Sequence, residues 1–287
     1  MKKLGRAIPL VFVALVLIVM PVLAITGNWV NDDVHPFVGM IAFYDESGEF
    51  IWRCTGSLIS PTKLLTAGHC ADVGEGAASA RVWFQQNAGG NYDPALGYDP
   101  ITGYADYCAP GTLGKLCATS HKIYNYGFAN FAGFPDTHDV GLVILDQKIK
   151  MPVYGVLPAA GTLDKLDKAR GLNDTIFTVS GYGLTYSTNV NDALPNISYR
   201  IRLMATSTLV NLGSSYTDGF NIQTQGNGDG RGGTCSGDSG GPVFLGGSSS
   251  NLIVAVTSFG KNDICRGTDF GYRIDRQEVL DWINSHN

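Results

Sequence analysis

Gly237-Asp238-Ser239-Gly240-Gly241-Pro242 puts a serine on a glycine-rich turn, and Thr66-Ala67-Gly68-His69-Cys70 puts an imidazole beside a cysteine. A serine hydroxyl is a weak nucleophile near neutral pH and needs a neighbouring base to take its proton. Its attack on a carbonyl also needs N–H donors aimed at the developing oxyanion, which a glycine-rich turn can present. Outward from these two segments the chain breaks into short runs rich in Val, Ile, Phe and Tyr. They lie at 37–44, 50–59, 81–84, 140–145, 176–180, 199–205, 242–245 and 252–258, with Gly, Asp, Asn or Pro at their ends. Such spacing predicts an all-β sandwich or barrel, not alternating βα units.

The composition agrees. Among 287 residues there are 37 glycines and 13 tyrosines, and only 16% are charged, which favours a loop-rich β protein over a helical bundle. A formal net charge of -5 carries no basic footprint, so nucleic acid is not an expected partner. Lys2, Lys3 and Arg6 precede an apolar run that ends at Val22-Leu23-Ala24, the pattern of an export signal cut after Ala24. The run approaches spanning length, which leaves a retained membrane anchor as the alternative. Six cysteines in an exported chain imply three disulfides. Cys108 and Cys117 are close enough in sequence to close a local loop, and Cys54, Cys70, Cys235 and Cys265 flank the two chemical segments.

Between about 85 and 135 the residues turn to Gly, Tyr, Asn, Pro and Ala, which reads as a long surface excursion. A second soft stretch, 161–174, is expected to link two halves of the chain. Near the end, Asp275 is placed to cap a helix, with Glu278 three residues on and Val279, Leu280, Trp282 and Ile283 as its apolar stripe.

A serine–histidine couple needs an acid on the far ring nitrogen. The chain resembles the trypsin/chymotrypsin family of serine proteases. Its serine segment matches the family's Gly-Asp-Ser-Gly-Gly-Pro throughout, and its histidine segment differs from Thr-Ala-Ala-His-Cys only at Gly68. Asp139-Val140-Gly141-Leu142 stands where the family has Asp-Ile-Ala-Leu, Ser180-Gly181-Tyr182-Gly183 resembles Ser-Gly-Trp-Gly, and Ser258-Phe259-Gly260 resembles Ser-Trp-Gly. The matches run in family order over nearly all of the chain after residue 24.

The resemblance implies two six-stranded antiparallel β-barrels, with the active site in the cleft between them and a C-terminal helix. The expected domains are a signal peptide at 1–24, an N-terminal barrel at 25–160 interrupted by the excursion, and a C-terminal barrel with the helix at 161–287. It also implies a secreted serine endopeptidase with a triad of His69, Asp139 and Ser239, and with oxyanion-hole N–H groups on Gly237 and Ser239. Asp136 is a nearby carboxylate with no such role. Ile25-Thr26-Gly27-Asn28 resembles the family's mature N-terminus, whose ammonium pairs with the aspartate before the serine, here Asp238. The same cut that removes the signal would then free Ile25 and activate the enzyme. The implied disulfides are Cys54–Cys70 and Cys235–Cys265, with Cys108–Cys117 left over.

The resemblance implies that trypsin-like cleavage after Arg or Lys uses an acid at the pocket base, six residues before the serine, and Gly233 stands there instead. With Thr234, Ser258, Phe259 and Gly260 as further pocket residues, an apolar or small side chain is the expected occupant. The far wall stays open: Phe270 facing inward makes the pocket shallow, whereas Asp269 facing inward restores basic residues. A catalytically inactive homologue acting as a binding module is the alternative from another class. The expected partners are protein or peptide substrates, met by a monomer that touches a membrane only through its leader. No segment argues for a cofactor or a metal site.

Overall fold

The protein is described here by a computed structural model covering residues 25–88, 107–167, 175–184, 201–226, 231–262 and 265–286. The signal segment and the expected cut after Ala24 lie outside the described residues, as does much of the 161–174 stretch.

The N-terminal half contributes β1 (Thr26–Gly27), β2 (Trp29–Asn31), β3 (Val38–Tyr44), β4 (Phe50–Leu58), β5 (Lys63–Thr66), β6 (Ser79–Trp83), β7 (Cys117–Ser120), β8 (Lys122–Asn125) and β9 (Gly141–Ile144). Strands β3 to β9 form one antiparallel sheet in the order β7-β6-β3-β4-β5-β9-β8. β7 and β8 are separated only by His121, and they pair with β6 and β9 at opposite ends of the sheet. Taken as one strand bent at His121, they turn seven segments into a nearly closed six-stranded barrel. This corrects the reading of 85–135 as surface excursion alone. Ala, Lys and Asn in these strands hide them from a search for β-branched alternation.

After the one-turn helix α1 (Asp164–Asp167) come β10 (Ile176–Gly181), β11 (Leu203–Asn211), β12 (Asn221–Gln225), β13 (Gly232–Gly233), β14 (Pro242–Leu245), β15 (Ile253–Gly260) and β16 (Thr268–Arg273). Their sheet runs β10-β14-β15-β16-β12-β11, and a β10–β11 pairing closes it into six strands. β2 adds to the outside of β11 and β1 pairs with β13, so the segment after Ile25 is stitched to the C-terminal barrel. That placement is a tertiary choice with no counterpart in local propensity.

Phe37, Ile41, Phe43, Leu58, Leu65, Val82, Leu142 and Val143 fill the first barrel. Phe177, Val179, Leu203, Ile222, Val243 and Val254 fill the second, and Ile25 is buried among them. Arg202 crosses the junction, where Nε donates to Asp32 O at 3.0 Å and Nη1 to Val38 O and Phe84 O, both at 3.1 Å. A guanidinium suits this task because its fork of donors satisfies several carbonyls at once.

The C-terminal helix α2 (Gln277–Ser285) lays Val279 and Ile283 on the first core, as its stripe predicts. Its start differs from expectation. Arg276 occupies the cap position, while Asp275 is buried and accepts from Arg273 Nε at 2.8 Å and the Leu163 N–H at 2.7 Å. A carboxylate with a buried guanidinium at hand gains more there than from an exposed helix cap. No helix among the described residues is long and apolar enough to cross a membrane.

Candidate active site

His69 follows β5 and Asp139 precedes β9, and these two strands pair side by side, with Thr66 opposite Gly141. The register brings the loops at their ends together. His69 Nδ1 lies 2.9 Å from Asp139 Oδ2, and the His69 backbone N–H donates to Oδ1 at 2.8 Å. The fully buried carboxylate also accepts from the Ser258 hydroxyl. With Nδ1 donating to Asp139, the lone pair of the neutral ring is left on Nε2.

Burial opposes charge on both partners, and their mutual attraction outweighs it. The Asp139 carboxyl is held below the usual carboxylate range by His69 and Ser258, despite its burial. The imidazole, desolvated but facing Asp139 and more distantly Asp72, is raised above its ordinary value. The pair is thus built to accept a second proton on His69 and to stabilise the imidazolium.

Ser239 comes from the other barrel. Its carbonyl accepts the Thr55 N–H at 2.8 Å, next to Cys54, which is bonded to Cys70 beside His69. Gly240, at φ +77°, brings the turn against β5: an added Cβ would lie 2.6 Å from Ala67 N and 2.6 Å from Thr55 O, and would overlap Thr66 Oγ1. Only glycine permits that approach. Ser239 Oγ has no hydrogen-bond partner among the described residues, His69 included; such contacts are often loose before substrate binds. The N–H groups of Gly237 and Ser239 likewise have no hydrogen-bond partner among the described residues, while the Thr55 hydroxyl donates to the Gly237 carbonyl at 2.8 Å.

Asp238 points inward. Its carboxylate is fully buried and accepts the N–H groups of Gly183 at 2.7 Å and Cys235 at 2.9 Å. Burial still pushes it up to about 7, and no cation among the described residues pairs with it. Ile25 is buried in the same barrel and held at φ +64°, which is strained for a β-branched residue.

A cavity of about 190 Å³ opens beside Ser239, lined by Thr234, Ser258, Phe259 and Gly260 among others. Phe270, one of the two candidates for the far wall, does not line it. Its ring is buried and stacks on Phe259 at 4.5 Å, bracing that wall from behind. Asp269 lines the cavity instead, close against Gly233. Alternation along β16 allows only one of the two neighbours to face inward, but a single strand cannot say which.

Three disulfides join Cys54–Cys70, Cys108–Cys117 and Cys235–Cys265, matching the expected pairing. Cys54, Cys70 and His69 lie within 4.8 Å of one another, but the bonded sulfurs leave no thiolate ligands for a metal. The remaining histidines have structural partners: His35 on Asp32, His121 on Asp146, His138 near Asp136 and His286 against Trp282. Asp136 accepts from Tyr272 at 2.6 Å and stays out of the His69 pair.

Sequence reasoning missed Phe128, whose ring packs 5.8 Å from that of His69. A Cβ on Gly68 would lie 2.7 Å from Phe128 Cβ, which accounts for glycine where an alanine was expected.

Two antiparallel barrels, with a histidine–aspartate pair on one and a glycine-framed serine on the other, are the double-barrel architecture of the serine proteases. The chain belongs to the trypsin family: the Trypsin family model matches residues 25–283. Brachyurin from Leptuca pugilator is 30% identical over 82% of this chain and 88% of its own length. Serine protease 1 of Drosophila melanogaster is 27% identical, covering 84% and 77% of the two chains. Chymotrypsin-like elastase family member 1 of Canis lupus familiaris is 25% identical over 75% and 73%. HL collagenase superposes with a TM-score of 0.58 at 20% identity, covering 91% of this chain and 97% of its own, and shares the fold.

Proposed function

We propose that the chain is a secreted serine endopeptidase in which His69, Asp139 and Ser239 form the catalytic triad. The observation that carries this reading is the pair of buried Asp139 and part-exposed His69, tied through Cys70–Cys54 to the strand whose Thr55 holds the Ser239 turn. There the serine hydroxyl and two N–H groups have no partner among the described residues. Ser239 Oγ attacks the scissile carbonyl while His69 Nε2 takes its proton, and Asp139 stabilises the imidazolium. The oxyanion is received by the N–H groups of Gly237 and Ser239, each donor contributing about 2.7–4 kcal/mol at the transition state. His69 then returns its proton to the leaving amine, and water repeats the sequence on the acyl-enzyme.

Activation follows from Ile25 and Asp238. A buried carboxylate without a counterion costs several kcal/mol. The torsion strain at Ile25 exists only while a peptide bond precedes it, and strain of this kind costs on the order of 1–3 kcal/mol. Cutting after Ala24 removes the second cost and supplies an ammonium for the first. The signal segment, the domain limits at residue 160 and the monomeric state belong to this same reading. So does the pocket, whose walls at Thr234, Ser258 and Gly260 suit an apolar or small residue before the scissile bond, with a basic residue as the alternative that the inward-facing Asp269 favours.

A fluorophosphonate probe tests the reading. Exported protein is expected to be labelled on Ser239 and to lose peptide hydrolysis with the label. An intact, folded chain that neither labels nor cleaves peptides would be the binding module instead.

A further inference from the structure

His35 belongs to a buried polar cluster that the chemistry at Ser239 does not use. Its ring is fully buried, flat against Phe244 at 4.4 Å and edge-on to Phe37. Nδ1 faces the Asp32 carboxylate, with both oxygens at 2.9 Å, and Nε2 faces the Ser250 carbonyl at 3.1 Å. Asp32, also fully buried, accepts the N–H groups of Val34 at 3.1 Å and His35 at 3.0 Å, and the Ser180 hydroxyl.

A neutral imidazole has one donor and one acceptor, and a carbonyl oxygen can only accept. The other neighbours of the Asp32 carboxylate all donate to it. Both ring nitrogens of His35 therefore donate, and the buried pair is an imidazolium beside a carboxylate. Burial opposes charge on Asp32, yet His35, with help from Ser180 and Arg202, holds its carboxyl below the usual range. Arg202 is the other buried cation here, and its Nε reaches Asp32 only at the backbone carbonyl. The Tyr182 hydroxyl meets Arg202 Nη1 at 3.2 Å, and Asp33 is exposed. Ser180, His35 and Asp32 repeat the residue types of the triad but not its order. The hydroxyl sits on the acid and Nε2 is closed by Ser250, so no base reaches Ser180.

Ser180 lies where β10 runs under the Ser239 turn. A Cβ on Gly241 would lie 2.6 Å from the Ser180 carbonyl oxygen. The Tyr182 N–H donates to Thr55 Oγ1 at 3.1 Å, the same hydroxyl that holds the Gly237 carbonyl. The Gly183 N–H donates to Asp238 at 2.7 Å. Residues 180–183 thus form a platform joined, directly or through Thr55, to Gly237, Asp238 and Gly241.

We propose that Asp32 and His35 are positioning residues for Ser239: their ion pair anchors Ser180 and so fixes the platform under the turn. A charged acceptor holds that hydroxyl about twice as strongly as a neutral one. The effect on turnover rests on the peptidase reading, while the ion pair and the placement of the turn do not.

Long-range ¹H–¹⁵N NMR of the exported protein at pH 6 reads the ring directly. Two ring N–H signals from His35, assigned by their contact with Phe244, are expected. A single one overturns the proposal without reference to any variant. Removing either charge would leave its partner buried and unpaired and endanger the fold, so Ser180 is the residue to change. In folded Ser180→Ala, the Gly237 and Ser239 amide signals are expected to shift, while those of Val82 and Leu142 in the first barrel stay. Loss of a hydrogen bond to a charged group should lower kcat about tenfold, with KM changed by less than about twofold. Unmoved Gly237 and Ser239 amides overturn the proposal, as does a wild-type kcat in folded S180A. Shifted amides in a protein that neither labels with fluorophosphonate nor cleaves peptides support the placement and remove the peptidase reading.

Discussion

The carboxylate of Asp139 accepts both the ring Nδ1–H of His69, at 2.9 Å, and the backbone N–H of the same residue, at 2.8 Å. One buried acid thus sets the tautomer, the ring direction and the position of the loop that carries the base. Asp139→Asn keeps the shape but offers an amide that can donate to Nδ1 and reverse the tautomer. We expect kcat to fall by roughly 10⁴-fold. The acid limb of the kcat/KM profile should move down from its raised position, because the proton on His69 loses its counter-charge. Stopped assays over pH 5–9 read both effects.

Ser258→Ala removes the third donor from Asp139. A hydrogen bond to a charged group is worth about 1.5–3 kcal/mol, so kcat should drop by about tenfold or more. Substrate binding through the adjoining strand should change less, which a separate reading of kcat and KM shows.

Gly68→Ala drives a methyl into Phe128 and the Val140 N–H. Overpacking of this kind costs about 1–3 kcal/mol, seen as a lower Tm, and displaces His69 enough to lower kcat. Phe128→Gly in the same chain should recover part of the loss, and a double-mutant cycle measures the coupling.

Residues retained ahead of Ile25 should leave Asp238 unpaired. Its folded-state value, near 7, then lies above the unfolded carboxyl value, so the folded form holds a proton the unfolded chain has shed. The stability this gives is fully present below about pH 4 and is lost as pH rises to about 7. Freeing Ile25 supplies an ammonium and should shrink that loss. Thermal unfolding of both forms at pH 4.5 and 7.5, beside peptide hydrolysis, checks the expectation; equal pH slopes and equal activity would reject it.

Ser239, His69 and Asp139, the residues proposed for catalysis, stand out in the sequence because the segments around them resemble the family's motifs in order. The family resemblance implied two of the disulfides, Cys54–Cys70 and Cys235–Cys265, and left Cys108–Cys117 as the third. Other features were hidden by their residue types. β7 and β8 sit in a stretch rich in turn-formers, and β16 carries Asp and Gly, so neither shows clean alternation. Asp275 looked like a helix cap until Arg273 was found beside it.

What the amino-acid order determined alone was the chemistry at hand and the class of fold, since nucleophile, base and acid keep their side chains whatever surrounds them, and strand periodicity is local. What only the tertiary structure decided was direction: which of Asp269 and Phe270 faces the cavity, where Asp238 points, and what packs on Gly68. Those choices depend on register between strands distant in the chain, and a shift of one residue would turn every side chain to the opposite face.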